Sequence, residues 1–328
     1  MPSKDMPPLT SGIWSISIKS QKSRHSYRGN TGIGFESARQ FLSYKVSHLI
    51  ITSRAEEKGK IAVSKLQAEY PKATVEVWRL DMCSYDSIRK FVDQVEAQLP
   101  RLDIAILNAG LVKQKFELIP GTGHEEVVQV NYLSTMLLSV LLIPLLKRKS
   151  PPGTPGRLSI VSSGTTLMNQ FPNSQQSPLL KSFDDPKTSP PLGLITYSIS
   201  KLMGHMFVYK LTDYVSADDV IVNLVDPGMT RGSEFSRELP KIARGLISPL
   251  LRVVARSISD GACAYLDATV VKGKESHMCF VMDWELRPFP AFLYTEQGKD
   301  TIERLWQETL DEFSFVNLRG IIESMKMA

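Results

Sequence analysis

The amino-acid sequence predicts an α/β fold, one doubly wound parallel sheet with helices on both faces, and three observations carry the prediction. From about residue 46 to 230, short apolar runs alternate with longer stretches of helical periodicity, the pattern of parallel strands joined by crossover helices. A glycine-rich turn, Asn30-Thr-Gly-Ile-Gly34, opens a helical stretch. The strands also end in polar or turn-forming exits, at Ser53-Arg54, Asn108-Ala-Gly110, Ser162-Ser163 and Pro227-Gly228. Ligands of open α/β sheets bind outside those carboxyl ends.

In order, residues 48–54 read as a strand, 56–69 as a helix and 75–81 as a strand. Residues 84–98 form a helix with Ile88, Phe91, Val92 and Val95 on one face, and Ser84 with Ser87 marks its start. A strand at 102–107 leads into a long apolar helix at 125–147. A strand at 157–163, a helix at 196–215 and a strand at 220–226 follow. Two stretches interrupt the rhythm: 164–195, rich in Pro, Ser, Asn and Gln, and 228–255, a mixed loop and helix. Both leave strand ends, where long connections are more often binding loops than ornament. Residues 278–282 read as a further edge strand and 295–313 as a closing amphipathic helix.

Composition sets the bounds. The chain has 328 residues, 42% hydrophobic and 22% charged, enough for a substantial core and unlike a disordered chain. The net charge of +5 is mild and its basic residues are spread out, which argues against a nucleic-acid partner. Cys83, Cys263 and Cys279 have no C-x-x-C spacing, and the five histidines no metal-site pattern, so reduced thiols and no metal are expected. The apolar stretch 133–146 is short for a bilayer and contains Pro144, so it reads as a buried helix and no transmembrane segment is expected. The first 28 residues are Ser-rich and basic with Asp5 as the sole acid, a transit-peptide composition. Cleavage there would remove any strand ahead of the glycine-rich turn, so a cytoplasmic protein is expected.

The chemistry centres on Tyr197-Ser-Ile-Ser-Lys201. A Tyr and a Lys four residues apart share one helix face, and an ammonium beside a phenol favours phenolate and lowers a pKa that is ordinarily near ~10. A buried Tyr with a solvated Lys is the plainer reading of the same spacing. At Asn30-Thr-Gly-Ile-Gly34, helix-start N–H groups and the helix dipole favour a phosphate. About twenty residues on, Arg54, with Lys58 a turn later, stands where a basic residue accepts a ribose 2′-phosphate. That favours NADPH over NADH; two solvated charges are the alternative.

Taken together and in order, Asn30-Thr-Gly-Ile-Gly34, Asp81, Asn108-Ala-Gly110, Asn131, Ser163, Tyr197-x-x-x-Lys201 and Pro227-Gly228-x-Thr230 resemble the short-chain dehydrogenases/reductases. The likeness runs from about residue 29 to the end and is strongest to the retinol-dehydrogenase-like and WW-domain-oxidoreductase-like branch, many of whose fungal members reduce ketones in secondary metabolism. It implies a single Rossmann-like dinucleotide-binding catalytic domain over 29–328, with substrate loops at 164–195 and 228–255. The implied activity is NADPH-dependent reduction of a carbonyl to an alcohol, or the reverse, on a lipophilic small molecule such as a polyketide or terpenoid intermediate. By the same resemblance Tyr197 is the general acid, and Lys201 lowers its pKa and holds the nicotinamide ribose. Ser163 bonds the substrate oxygen, and Asn131 kinks its helix to seat a water. Gly29, Asn30, Gly32, Ile33 and Gly34 form the phosphate turn, Asp81 contacts adenine, and Asn108, Ala109 and Gly110 wall the adenosine. Pro227, Gly228 and Thr230 contact the carboxamide or a phosphate. The family often pairs into homodimers through long helices, although 133–146 reads equally as core.

The sequence departs from this pattern at its start. Where the family has Thr and Gly ahead of Gly32, this chain has Tyr27 and Arg28, with no apolar strand before them. The nearest strand-like alternation, Trp14-Ser-Ile-Ser-Ile18, lies about nine residues too early. Tyr44-Lys45-Val46 stands where the family usually has a glycine. Residues 1–28 are therefore expected to be atypical: disordered, or the product of a misplaced start or exon boundary. If they are native, the damaged turn implies the alternative of a catalytically impaired binding or scaffold protein.

Overall fold

Strands buried on both faces must be apolar throughout, and that is why the Val, Ile and Leu runs become the inner strands. In the computed structural model, which describes residues 12–14, 32–168, 171–231 and 255–326, the described strands form one sheet in the order β3-β2-β1-β4-β5-β6-β7-β8. They are β1 (Gly12–Trp14), β2 (His48–Ser53), β3 (Thr74–Arg79), β4 (Ile104–Leu107), β5 (Gly156–Val161), β6 (Val220–Asp226), β7 (Phe280–Met282) and β8 (Glu285–Arg287). All pair in parallel except β8, which runs antiparallel to β7.

The described helices are α1 (Ile33–Ser43), α2 (Glu56–Glu69), α3 (Tyr85–Gln98), α4 (Glu126–Val128), α5 (Ser134–Lys149), α6 (Leu194–Leu211), α7 (Ile258–Leu266), α8 (Glu296–Glu312) and α9 (Leu318–Met325). Alternation along the strands splits the core in two. Leu49, Ile51, Ile104, Ile106, Val161 and Val225 pack with Phe41, Leu66 and Tyr265 of α1, α2 and α7. Ile50, Ala105, Leu107, Leu158, Val222 and Leu224 pack on the other face with α3, α5, α6, α8 and α9. The expected Ser84 cap is present, accepting from the Ser87 N–H at 3.2 Å. The helix at Glu126–Lys149 is long and apolar enough to cross a membrane, but 89% of its apolar window is buried in the protein.

The structure adds detail to several expectations. Within the N-terminal segment expected to be atypical, residues 12–14 lie inside the sheet, between β2 and β4, with Ile13 opposite Ile50 and Ala105; the rest of residues 1–28 lies outside the described residues. Without residues 12–14 the inner edges of both neighbours would be left with unpaired backbone groups. The strand expected at 278–282 is β7 over Phe280–Met282, and it is not the edge, because the short strand β8 covers it. The long helix is broken between α4 and α5 by a π-helical turn, Gln129–Leu133. Residues 164–195 contain 3₁₀ turns at Gly164–Met168, Pro172–Gln175 and Leu180–Phe183. The loop is tied down by Glu308, whose carboxylate accepts from the Leu179 and Leu180 N–H groups, both at 2.7 Å. Of the expected loop 228–255, residues 232–254 lie outside the described residues.

A second tether involves charge. His124 is buried, with Nδ1 2.9 Å from Asp184 in that loop and Nε2 3.1 Å from Glu312 at the end of α8. Burial works against the imidazolium, but the two carboxylates outweigh it and raise the pKa to about 9. A raised folded-state value means the tether is complete below the ordinary value near 6.5 and is lost as pH rises through about 9. Hydrogen exchange of the Pro172–Phe183 region, corrected for intrinsic rates, is expected to accelerate between pH 7 and 10. In His124→Gln it is expected to be fast already at pH 7. Lys45, just past the end of α1, holds φ 65° where the family pattern carries glycine. A side chain there costs about 1–2 kcal/mol, so Lys45→Gly is expected to stabilise the protein by about 1 kcal/mol, read as a higher melting temperature.

Candidate active site

The site lies where β5 and β6 end side by side, Val161 opposite Val225, with α6 packed behind them. Lys201 of α6 is buried, and its Nζ donates to the Val161 carbonyl at 2.6 Å. One turn earlier on the same helix, the Tyr197 hydroxyl is hydrogen-bonded to Ser163, the second residue beyond β5. Ser163 Oγ accepts from the Thr165 N–H at 3.3 Å and from its hydroxyl at 3.0 Å.

Asn131 sits in the π-helical turn, the kink expected of its helix. Its Oδ1 accepts from the Leu111 N–H at 2.7 Å, and its Nδ2 donates to the Leu111 carbonyl and to Ser200 Oγ, both at 2.9 Å. It thereby straps the exit of β4 to α6 beside Lys201. Gly110 lies under that strap. A Cβ there would stand 3.2 Å from Lys201 Nζ and 3.4 Å from Asn131 Oδ1, so this exit is shaped for glycine by the lysine.

Three residues at the centre escape sequence reasoning. Asp226, the last residue of β6, is buried and receives the backbone N–H groups of Gly164 and Gly228, joining the origins of both long loops; burial nevertheless raises its pKa. Tyr265 of α7 donates its hydroxyl to Asn108 Oδ1 at 2.6 Å. Arg256 lies against Gly228, reaches the Pro227 carbonyl at 3.4 Å and pairs with Asp283. Asp226 reads from sequence only as a strand stop, and Arg256 and Tyr265 belong to no motif. The spacing of Tyr197 and Lys201 predicts a lowered phenol pKa. In the structure burial, reinforced by the Asp226 carboxylate and eased by the Ser163 hydroxyl, pushes it up to about 12. The phenol is therefore protonated at neutral pH.

The remaining predicted residues form two outlying groups. Gly32, φ 133°, precedes α1, and Ile33 and Gly34 are that helix's first residues; no side chain among the described residues caps them. Gly29 and Asn30 lie outside the described residues. Arg54 is exposed just past β2 and hydrogen-bonds the Cys83 thiol. Lys58 is on the first turn of α2. Asp81, at the exit of β3, accepts from the Cys83 N–H at 3.0 Å. Ala109 is buried. At the end of β6, Gly228 holds φ 73° and buried Thr230 donates to its carbonyl at 3.1 Å.

A dinucleotide fits this arrangement on two counts. The uncapped first turn of α1 leaves N–H donors for a phosphate, and the exits of β2, β3, β4 and β6 line up along one carboxyl edge.

Fold and site together define a dinucleotide-dependent oxidoreductase. Comparison with known proteins agrees: the family model for short chain dehydrogenases matches residues 28–175. The short chain dehydrogenase/reductase mfmJ of Annulohypoxylon moriforme is 56% identical over 298 residues, covering 91% of this chain and 86% of that protein. The short chain dehydrogenase virL of Hypocrea virens is 40% identical over 297 residues, covering 90% and 86%. This chain belongs to the short-chain dehydrogenase/reductase family. Among solved structures, the oxidoreductase yciK from E. coli shares the fold with a TM-score of 0.60 at 19% identity, covering 85% of this chain and 97% of that one. A short chain dehydrogenase from Shigella flexneri complexed with NADP does so at 0.55 and 19%, covering 81% and 96%.

Asn131→Ala takes the side-chain partner from both Leu111 backbone groups, while Ser200 Oγ keeps its bond to the Tyr197 carbonyl at 2.6 Å. Each buried group so orphaned costs about 1–3 kcal/mol. A melting temperature several degrees lower is expected, together with a turnover loss of about 10²-fold from displacement of Lys201.

Proposed function

We propose that this protein is an NADPH-dependent reductase, or reversible alcohol dehydrogenase, acting on a lipophilic carbonyl compound, with polyketide or terpenoid intermediates of secondary metabolism as the substrate class. The observation that carries the reading is the convergence of Ser163, Tyr197, Lys201 and Asn131 at the ends of β4 and β5, held by the contacts just described. A bound NADPH supplies hydride. The chain's own residues do the rest. Ser163 orients the carbonyl oxygen, and Tyr197, protonated at neutral pH, gives it a proton as charge develops there. Lys201, one turn on and held by the Val161 carbonyl, is the cation nearest in the chain to Tyr197 on that helix, and an ammonium at that position favours the phenolate that proton transfer leaves behind.

Two features support the finer assignment. Arg54 and Lys58 stand at the exit of β2 and the start of α2, where a 2′-phosphate is accepted in this fold. Leu167, Met168, Leu194, Ile195 and Met229 are exposed on the segments that leave Ser163, lead into Tyr197 and follow Gly228. An apolar rim of that kind suits a lipophilic substrate.

Tyr197→Phe is expected to lower carbonyl reduction by at least about 10²–10⁴-fold while leaving NADPH affinity unchanged, since acid–base catalysis is worth that much. Turnover retained in that variant sinks the mechanism. Calorimetry is expected to show micromolar NADPH binding that weakens in Arg54→Ala, with NADH little affected. Absence of binding in the wild-type chain favours the impaired-scaffold reading instead.

A further inference from the structure

Helix α6 carries a third polar side chain behind the Tyr–Lys pair. His205 lies one turn past Lys201 and is 0% exposed. Its Nε2 is 2.7 Å from Ser162 Oγ, while its Nδ1 has no hydrogen-bond partner among the described residues. Phe280 of β7 and Phe289 close over the ring edge-on, with centroids at 4.7 and 5.8 Å. Burial and the nearby Lys201 ammonium hold its pKa down at about 3, so the imidazole is neutral at any working pH. Of its two tautomers, one would bury an unpaired N–H donor among aromatic rings and the other only an unpaired lone pair. Orphaned buried N–H groups are the rarer and costlier kind, so Nε2–H donates to Ser162.

The residue held by that bond is flanked by the two groups the chemistry needs. Val161 offers the carbonyl that accepts from Lys201, and Ser163 bonds the Tyr197 hydroxyl. Ser162 is also fixed across the sheet, its N–H donating to the Val225 carbonyl at 2.8 Å. Positions 197, 201 and 205 are successive turns of one helix, and they meet residues 163, 161 and 162 at one strand exit. We propose that His205 is a positioning residue which, through Ser162, locks the strand exit to α6 and so sets the placement of the Val161 carbonyl under Lys201 and of Ser163 under Tyr197. The proposal rests on the reading of Tyr197 and Lys201 as the catalytic pair. Around the triplet, Lys201 on α6, Asp226 on β6 and Tyr265 on α7 are the ionisable neighbours.

The test compares full-length wild type, His205→Leu, His205→Gln, Ser162→Ala and the double variant His205→Leu/Ser162→Ala, with Tyr197→Phe as control. Positioning predicts that His205→Leu and Ser162→Ala each lower kcat by about 10²-fold with KM little changed, since displacements of that order follow from an error of about 1 Å. The double variant is expected to be no worse than either single one, and His205→Gln, whose amide N–H reaches the same oxygen, to recover most of the loss. Wild-type kcat in a folded His205→Leu, additive losses, or failure of glutamine to rescue overturns it. Should His205→Leu fail to fold, Ser162→Ala decides by the same criterion. Nitrogen-15 NMR of the histidine ring reads the arrangement without turnover. A neutral ring with Nε2 engaged in a hydrogen bond across about pH 5 to 8 is expected, and a ring that titrates in that range, as an exposed histidine does, overturns the proposal. An active Tyr197→Phe overturns the catalytic reading itself, an outcome separable from any NMR result.

Discussion

A buried ammonium is costly unless it is fully hydrogen-bonded, and Lys201 imposes that condition on its surroundings. Its Nζ needs the Val161 carbonyl, which requires β5 to end where it does. At the exit of β4, Gly110 leaves it space that a Cβ would crowd, standing 3.2 Å from its Nζ. The β4 exit must then be held at that distance, and Asn131 does so by taking both backbone groups of Leu111. Asn131 can reach them because the π-helical turn rotates it out of the regular helical register. One charge is thus linked to a glycine at the β4 exit and to an asparagine in a helix defect, two places far apart in sequence.

Asp226 exerts a comparable influence on the substrate side. By accepting from the N–H groups of Gly164 and Gly228 it gives the two loops a common root. The first is fixed again farther out by Glu308 and by His124 between Asp184 and Glu312. That side of the site is consequently braced at both ends, while its exposed apolar residues lie near the roots.

Much of this was legible in the sequence, and the exceptions have physical reasons. Inner strands such as β2 and β6 announce themselves because burial on both faces forces continuous apolar runs. Ser84 announces α3 because its hydroxyl is the cap. Tyr197, Lys201, Ser163 and Asn131 are legible as a set, since order and spacing survive where single residues carry little signal. β8 is three exposed residues with no pattern to detect, and β1 is three residues at the start of the alternation that ends at Ile18, too early in the chain to match the expected first strand. Asp226, Tyr265 and His205 stay hidden because their partners are backbone N–H groups or side chains remote in sequence. Lys45 misleads in the opposite sense: the backbone keeps the left-handed conformation expected of a glycine, and the side chain tolerates it.

The position of β1 bears on how the chain assembles. It divides the sheet into a β3-β2 half and a β4-to-β8 half, and it pairs with both. Ile13 is made early in synthesis, yet Ala105, its partner on β4, emerges only after β2, α2, β3 and α3. Of the described strand pairs, β1 with β4 joins the segments farthest apart in sequence, so its loop-closure cost is the largest of the sheet. The carboxyl edge that gathers Ser163, Tyr197 and Lys201 is continuous with the β2–β3 side only through that pairing, so the least conspicuous strand joins the two halves of the candidate site.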